Sequence, residues 1–375
     1  MIKLSKNKVF NSQFILKYKK LVQSFVLKKN IGFTFFHHSF KSNDIIINDL
    51  INRIAYDPFS FDNLNDKYQS FLNDYYEISQ FLLHGSDYLK IIKIQFNKKS
   101  GLGYKKNLID KRKSIIDSFK KNKILITLGI NDPKIIKTEK SFLIFHKHVR
   151  NKFNDNNEKI RKIFDYNDFL RFQKNIRNEI LENNEIKVCP YCNRQYIDTY
   201  SYQGKIKSIA QIDHLFPKSV FPLYSLTLLN FIPSCSYCNC IIKSDKLFPW
   251  PSIYVDMPSD KKYFEISYRS ISGIFGNTND FDLKITPNDT LEKNNSYFFR
   301  HKEIYESHKE DISMLLKKRQ IFHNGYKKSI ENIIKNDGIS NEEFSLMIFG
   351  VTGNESDYLT TPLSKLKNDI LKDFK

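Results

Sequence analysis

Two C-x-x-C pairs, Cys189 with Cys192 and Cys235 with Cys238, constrain this chain more than any other feature. All five of its cysteines lie between positions 189 and 246. Each C-x-x-C turn offers two thiolates, and a tetrahedral Zn²⁺ takes four ligands. The pattern predicts a structural zinc that closes the segment into a knot around a small hairpin, not a secreted disulfide framework. Thiolate ligands need a reducing compartment, so a cytoplasmic location is expected. Cys240, the odd one, reads as a small buried residue on a helix.

The residues between the pairs carry chemistry. KIKSIAQIDH reads as a strand that ends in Asp213 and His214, with Gln203-Gly204 as a turn ahead of it. Residues 216–229 form a loop with two prolines. Residues 230–233 read as a second short strand, and 239–246 as a short helix. The expected order is strand, loop, strand, helix, with Asp-His at the end of the first strand and Asn239 at the start of the helix. A carboxylate, an imidazole and an amide around one point suit phosphodiester hydrolysis. A hard cation such as Mg²⁺ or Mn²⁺ would take the Asp213 carboxylate and the Asn239 carbonyl and keep waters elsewhere. A neutral His214 could accept a proton from the attacking water near neutral pH.

These strings, CPYC-N-R, IDHLFPKS, LLNFIPSC and S-Y-CN, resemble the HNH (His-Asn-His) endonucleases of the ββα-metal fold, in the version stapled by a four-cysteine zinc site. The resemblance implies that His214 is the general base and that Asn230 holds the loop and orients the histidine. It implies an H-N-N variant in which Asn239 takes the third position as a metal ligand beside Asp213. IYESHKEDISMLL and FGVTGNESDY with PLSKLKNDIL are similar to the C-terminal parts of free-standing bacterial HNH proteins, some of them phage-defence components. The first 180 residues resemble no family. One departure stands out. Many relatives read C-N-x-x-K, whereas here Ile242 holds that place and Lys243 follows it. Positions three and four along a helix share a face, so Lys243 is a phosphate-contact candidate, as are Arg194 and Lys218. Each of the three could equally be ordinary solvated charge.

The rest of the chain is quieter. A formal net charge of +19 on 375 residues points to a polyanion partner, and nucleic acid is the commonest. Lysine-rich composition of the kind AT-rich coding produces is the competing explanation. Apolar residues make up 41% and charged residues 27%, which places the chain among globular proteins. No apolar run long enough to span a membrane occurs, and the N-terminus lacks the pattern of a signal peptide. Residues 1–30 hold eight lysines and no acid, which fits a basic arm or a solvated helix face. Leu72, Tyr75, Ile78 and Leu82 recur at helical spacing, as do Phe169, Phe172, Ile176 and Ile180, with Asn167 as a cap. Residues 98–123 are strongly basic, and Gly101-Leu102-Gly103 within them lacks the phosphate-loop pattern. His37-His38 and the H-x-H of His146 and His148 have no carboxylate or cysteine at ligand spacing, so they read as surface or packing histidines. Residues 251–290 alternate as strands around a turn, Ile304 to Leu316 return to helical spacing with His308 packed on that face, and the tail is a loop and a helix.

The fold class expected is α+β. A central ββα-metal module at 183–255 is flanked by a mainly helical basic region at 1–182, for substrate or partner selection, and by an α+β region at 256–375. The function expected is metal-dependent hydrolysis of double-stranded DNA, with a regulatory protein partner to restrain it and no membrane. Two alternatives stay open: a non-catalytic zinc module that binds nucleic acid or protein, and an HNH nuclease directed at RNA. Lysine contacts to phosphate cannot separate these, because they carry no base information.

Overall fold

The structure, a computed structural model, describes residues 2–41, 45–57, 66–96, 126, 128, 139–247, 253–255, 261–322, 324–334 and 339–372. The basic stretch at 98–123, with its Gly101-Leu102-Gly103 turn, lies outside the described residues. The fold is mixed α+β. Helices dominate the N-terminal half, and the strands pair only as two-stranded ribbons among the described residues.

The basic N-terminal segment is a packed helix and not a free arm. Helix Ser12–Lys29 starts at Asn11, whose side chain accepts the Phe14 N–H, and it ends at Asn30 in the left-handed region. Phe14, Tyr18, Val22, Phe25 and Val26 recur every three or four residues and are buried, which leaves the lysines on the outer face. Two of these are neutralised in ion pairs, Lys17 with Glu179 and Lys29 with Asp168. Helix Asp66–Phe96 buries Leu72, Tyr75, Ile78 and Leu82, as the spacing predicts. It packs against helix Glu139–Asn156, where Phe81 meets Phe142 and His146 edge-on or tilted. His146 also donates to the Leu82 carbonyl at 3.1 Å, so it is a packing histidine.

The second apolar stripe is split. Helices Tyr166–Phe172 and Ile176–Glu182 are separate, and Phe172 is exposed. The cap is Asp165, whose carboxylate accepts the Asp168 N–H at 2.7 Å, and not Asn167. A sharp hairpin, Phe33–Phe35 with His38–Phe40, interrupts the helices; period-four reasoning missed it because each strand has only three residues. Near the C-terminus, Phe264–Tyr268 pairs antiparallel with Phe281–Ile285 around a glycine-bearing turn, as the alternation predicts. The helix face from Ile304 onward is broken at Ser307–His308 into His301–Glu306 and Lys309–Ile321. Helix Ser364–Lys372 closes the tail.

One hydrophobic core gathers residues from Ile2 to Tyr254 together with Phe299 and Tyr358, and a second gathers Phe264, Phe281, Tyr305, Leu316 and Ile370. Tyr18 is the clearest link between the N-terminal helix and the cysteine-bearing segment. It is fully buried, its hydroxyl donates to the Leu226 carbonyl at 2.9 Å, and its ring meets Phe169 and Phe231 edge-on. Replacing Tyr18 with Ala should cost about 3–5 kcal/mol, the range for losing a buried aromatic ring. Chemical denaturation of the full chain should show the N-terminal helix and the cysteine segment melting together, one step earlier in denaturant than wild type.

Candidate functional site

The cysteine turns are built by backbone bonds. Asn193 adopts a left-handed conformation and its N–H returns to the Cys189 carbonyl at 2.7 Å, while the Cys189 N–H reaches Gln195. At the second turn, the Cys238 N–H points to Cys235 Sγ at 3.5 Å. Cys189, Cys192, Cys235 and Cys238 are all buried, and their sulfurs lie within 4.8 Å of one another. A tetrahedral Zn²⁺ with bonds near 2.3 Å separates its sulfurs by about 3.8 Å, so the four fit one ion. Burial raises the Cys189 thiol, whereas hydrogen bonds from Cys189 and Cys192 lower Cys235. A buried cluster of this kind cannot carry four negative charges without a cation. Cys240 stands apart: it is exposed, not buried as expected, and its thiol faces Gln211 Oε1.

Beside the cluster, Gln211–His214 pairs antiparallel with Phe231–Ser234, with His214 opposite Phe231. The strand expected across KIKSIAQIDH is two strands, since Lys205–Ser208 pairs back on Thr199–Tyr202 through a turn at Gln203 and Gly204, both with positive φ. The following helix spans Tyr237–Lys243 and is of the π type, with Ser244 N–H bonded to the Asn239 carbonyl five residues back. That wider turn explains how Lys243, four residues past Asn239, faces the strand.

Asp213 is 4% exposed and its two oxygens have different partners. Tyr191 donates its hydroxyl to Oδ2 at 2.5 Å, and Lys243 donates its ammonium to Oδ1 at 2.9 Å. The same ammonium reaches the His214 carbonyl at 2.7 Å. Burial raises the Asp213 carboxyl despite the opposing pull of Lys243 and Tyr191. Lys243 itself is 0% exposed, so it does not face a phosphate as expected but neutralises the carboxylate. Asn239 uses its amide nitrogen to donate to Gln211 Oε1 at 3.0 Å, a bond that leaves its oxygen uncommitted.

His214 is 7% exposed. Its Nε2–H donates to the Ser225 carbonyl at 3.1 Å, and its ring meets Tyr166 and Phe231 edge-on. Burial first, and the nearby Lys218 charge second, hold its pKa down at about 3. The imidazole is therefore neutral near pH 7, with the lone pair on Nδ1. Ser225 is fixed in turn by its hydroxyl, which donates to the Phe164 carbonyl. Asn230 is fully buried: Oδ1 accepts the Phe216 N–H at 2.8 Å, while Nδ2 donates to the Phe216 and Tyr224 carbonyls. It clamps the loop at its start, Phe216, and at Tyr224, next to Ser225.

The remaining expected residues divide. Lys218 lies near His214, donates to Asn167 Oδ1 at 3.2 Å and sits over the Tyr166 ring. Arg194 is turned toward the C-terminal region, where its Nε–H donates to His308 Nε2 at 2.8 Å. His308 then donates from Nδ1 to Asp311, a packed role as expected. His37 and His38 do have a carboxylate partner, Asp74, brought in by the helix Asp66–Phe96. Sequence reasoning missed Tyr191, Ser225 and Tyr166. Tyr191 was visible inside CPYC, but Ser225 contributes a backbone carbonyl and Tyr166 a ring edge, neither of which leaves a motif. Comparison with family models, with curated proteins and with solved structures gives no match.

Two outcomes follow. Replacing Cys235 with Ser should remove one equivalent of zinc from the purified protein, read by elemental analysis, and lower its melting temperature. Three histidines, His146, His214 and His301, have pKa values lowered chiefly by burial. Below about pH 6.5 the unfolded chain binds more protons at these sites than the folded chain does. Stability should therefore fall as pH drops from 6.5, by up to about 1.4 kcal/mol per pH unit for each group. His146→Gln, remote from the cysteines, should remove its share of that slope in denaturant titrations between pH 5 and 7.

Proposed function

We propose that this chain is a metal-dependent endonuclease of the HNH type that hydrolyses phosphodiester bonds of DNA. The observation that carries the reading is the fixed tautomer of His214. Its Nε2–H is committed to the Ser225 carbonyl, so Nδ1 is left as the base, on a strand–loop–strand–helix unit joined to a four-cysteine cluster. A general base must be unprotonated at working pH; burial ensures this for His214 while lowering its basicity. Asn230 supports the role by holding the loop at Phe216 and Tyr224, so the carbonyl that orients the imidazole cannot drift.

The donor set suits a hard cation. Asp213 and Asn239 offer oxygens, and each carboxylate oxygen keeps a second lone pair beyond the bonds to Lys243 and Tyr191. Bound there, Mg²⁺ or Mn²⁺ would supply charge stabilisation at the scissile phosphate and the leaving 3′ oxygen. The residues of the chain do the rest. Nδ1 of His214 takes the proton from the attacking water, the Ser225 carbonyl steadies the imidazolium through Nε2–H, and Lys218 attracts the phosphate to that side. Tyr191 and Lys243 favour the ionised form of Asp213 and oppose the upward pull of its burial.

The burial of His214 and Asp213, at 7% and 4% exposed, favours a second reading: a zinc-stapled module that binds nucleic acid or protein without cutting it. Supercoiled-plasmid cleavage separates the two. With Mn²⁺ or Mg²⁺ the wild type should nick or linearise DNA, EDTA should stop it, and His214→Ala should slow it by about 10²–10⁴-fold. Binding without cleavage by any divalent ion supports the second reading, and cleavage of RNA alone moves the substrate assignment to RNA.

A further inference from the structure

The hairpin at residues 33–40 gathers metal-binding side chains on elements separate from the cysteine turns. Its turn runs through Phe36 and His37, and Phe36 sits at φ 49°, a region bulky residues rarely adopt. The Phe36 N–H is held there by Asn156 Oδ1 at 2.9 Å. Consecutive residues of a straight strand point to opposite faces. With His37 in the turn and His38 opening the next strand, the two rings instead lie side by side, centroids 4.0 Å apart. Both Nε2 atoms approach one oxygen, Asp74 Oδ2, at 2.8 Å from His38 and 3.7 Å from His37.

A His38–Asp74 hydrogen bond would account for two of these groups, which are 5% and 8% exposed. It does not account for His37. That side chain is 54% exposed, yet its Nε2 is aimed at the same carboxylate oxygen. We propose that His37, His38 and Asp74 form a second metal site, for a divalent ion of borderline softness such as Zn²⁺, Ni²⁺ or Co²⁺. Two imidazoles and a carboxylate are the donors such ions prefer. With bonds of about 2.0–2.2 Å, tetrahedral donors stand about 3.3–3.6 Å apart. The observed 2.8 and 3.7 Å bracket that edge, and all three donor atoms lie within 4.8 Å of one another. Coordination uses the lone pair of each Nε2, so the proton His38 shares with Asp74 moves to Nδ1, with no change of charge. The exposed His37 side leaves the fourth position open to water or to an exchangeable ligand.

The ion would staple the hairpin to the helix Asp66–Phe96. Next to Asp74 on that helix, Tyr75 accepts the Leu223 N–H at 3.3 Å and donates to Asn157, so the staple reaches the loop that carries Ser225. The site stands independently of the nuclease reading.

The test is equilibrium dialysis of the full chain against Zn²⁺, with bound metal counted by elemental analysis. Wild type should hold one equivalent more than His37→Ala, and one more than Asp74→Asn. His37→Ala changes an exposed turn residue, so its loss of zinc cannot be put down to unfolding; circular dichroism checks this. Both variants keep the cysteine cluster and Asp213, so zinc at either of those places cancels in the difference. Equal zinc in wild type and His37→Ala overturns the proposal, whatever the plasmid assay gives.

Discussion

A carboxylate that is 4% exposed is the constraint around which this molecule is arranged. Burying an ionised Asp213 without compensation would cost far more than a fold of this size can spare. The chain answers with two donors from two different elements: Lys243 from the π-type helix and Tyr191 from the first cysteine turn. Strand, helix and cysteine cluster are thereby tied to a single side chain. The ion pair also has no slack. Removing one partner of a buried pair costs about 3–5 kcal/mol, because the other is left charged in a dry place.

His214 and Asn230 form the second half of the arrangement, and they work through the backbone. Asn230 spends both ends of its amide on the loop at 216–229, and that loop returns a carbonyl to the imidazole. The same loop is held from the N-terminal half by Tyr18 on Leu226 and Tyr75 on Leu223. The C-terminal half holds the cysteine turn: His301 donates to the Tyr191 carbonyl, and Tyr305 donates to the Cys192 carbonyl. The flanking regions therefore act on the centre as supports, whatever they bind outside.

Much of the centre was legible in the sequence because its parts are local. C-x-x-C turns, an Asp-His pair at a strand end and an Asn directly after the second C-x-x-C pair each announce themselves within a few residues. What the sequence hid was long-range. Lys243 reads as a surface charge until the wider helical turn carries it under the strand. Cys240 reads as buried, yet it lies exposed on the same helix. His37 and His38 lack a partner by spacing, and their carboxylate comes from a helix face that otherwise reads as core. The helix stripes at Leu72–Leu82 were correct in kind, while the breaks after Phe172 and Glu306 depend on packing that periodicity does not encode.

Tyr191 sits between two of the four clustered cysteines and holds the Asp213 carboxylate with its hydroxyl. The turn that places the thiols thus also places the donor to the buried acid. A metal held by Cys189 and Cys192 would fix the same turn that aims the Tyr191 hydroxyl, a donor that Asp213, 4% exposed, cannot replace from solvent. A carboxylate with no redox chemistry of its own is in this way joined, through one tyrosine, to a cluster of four thiols.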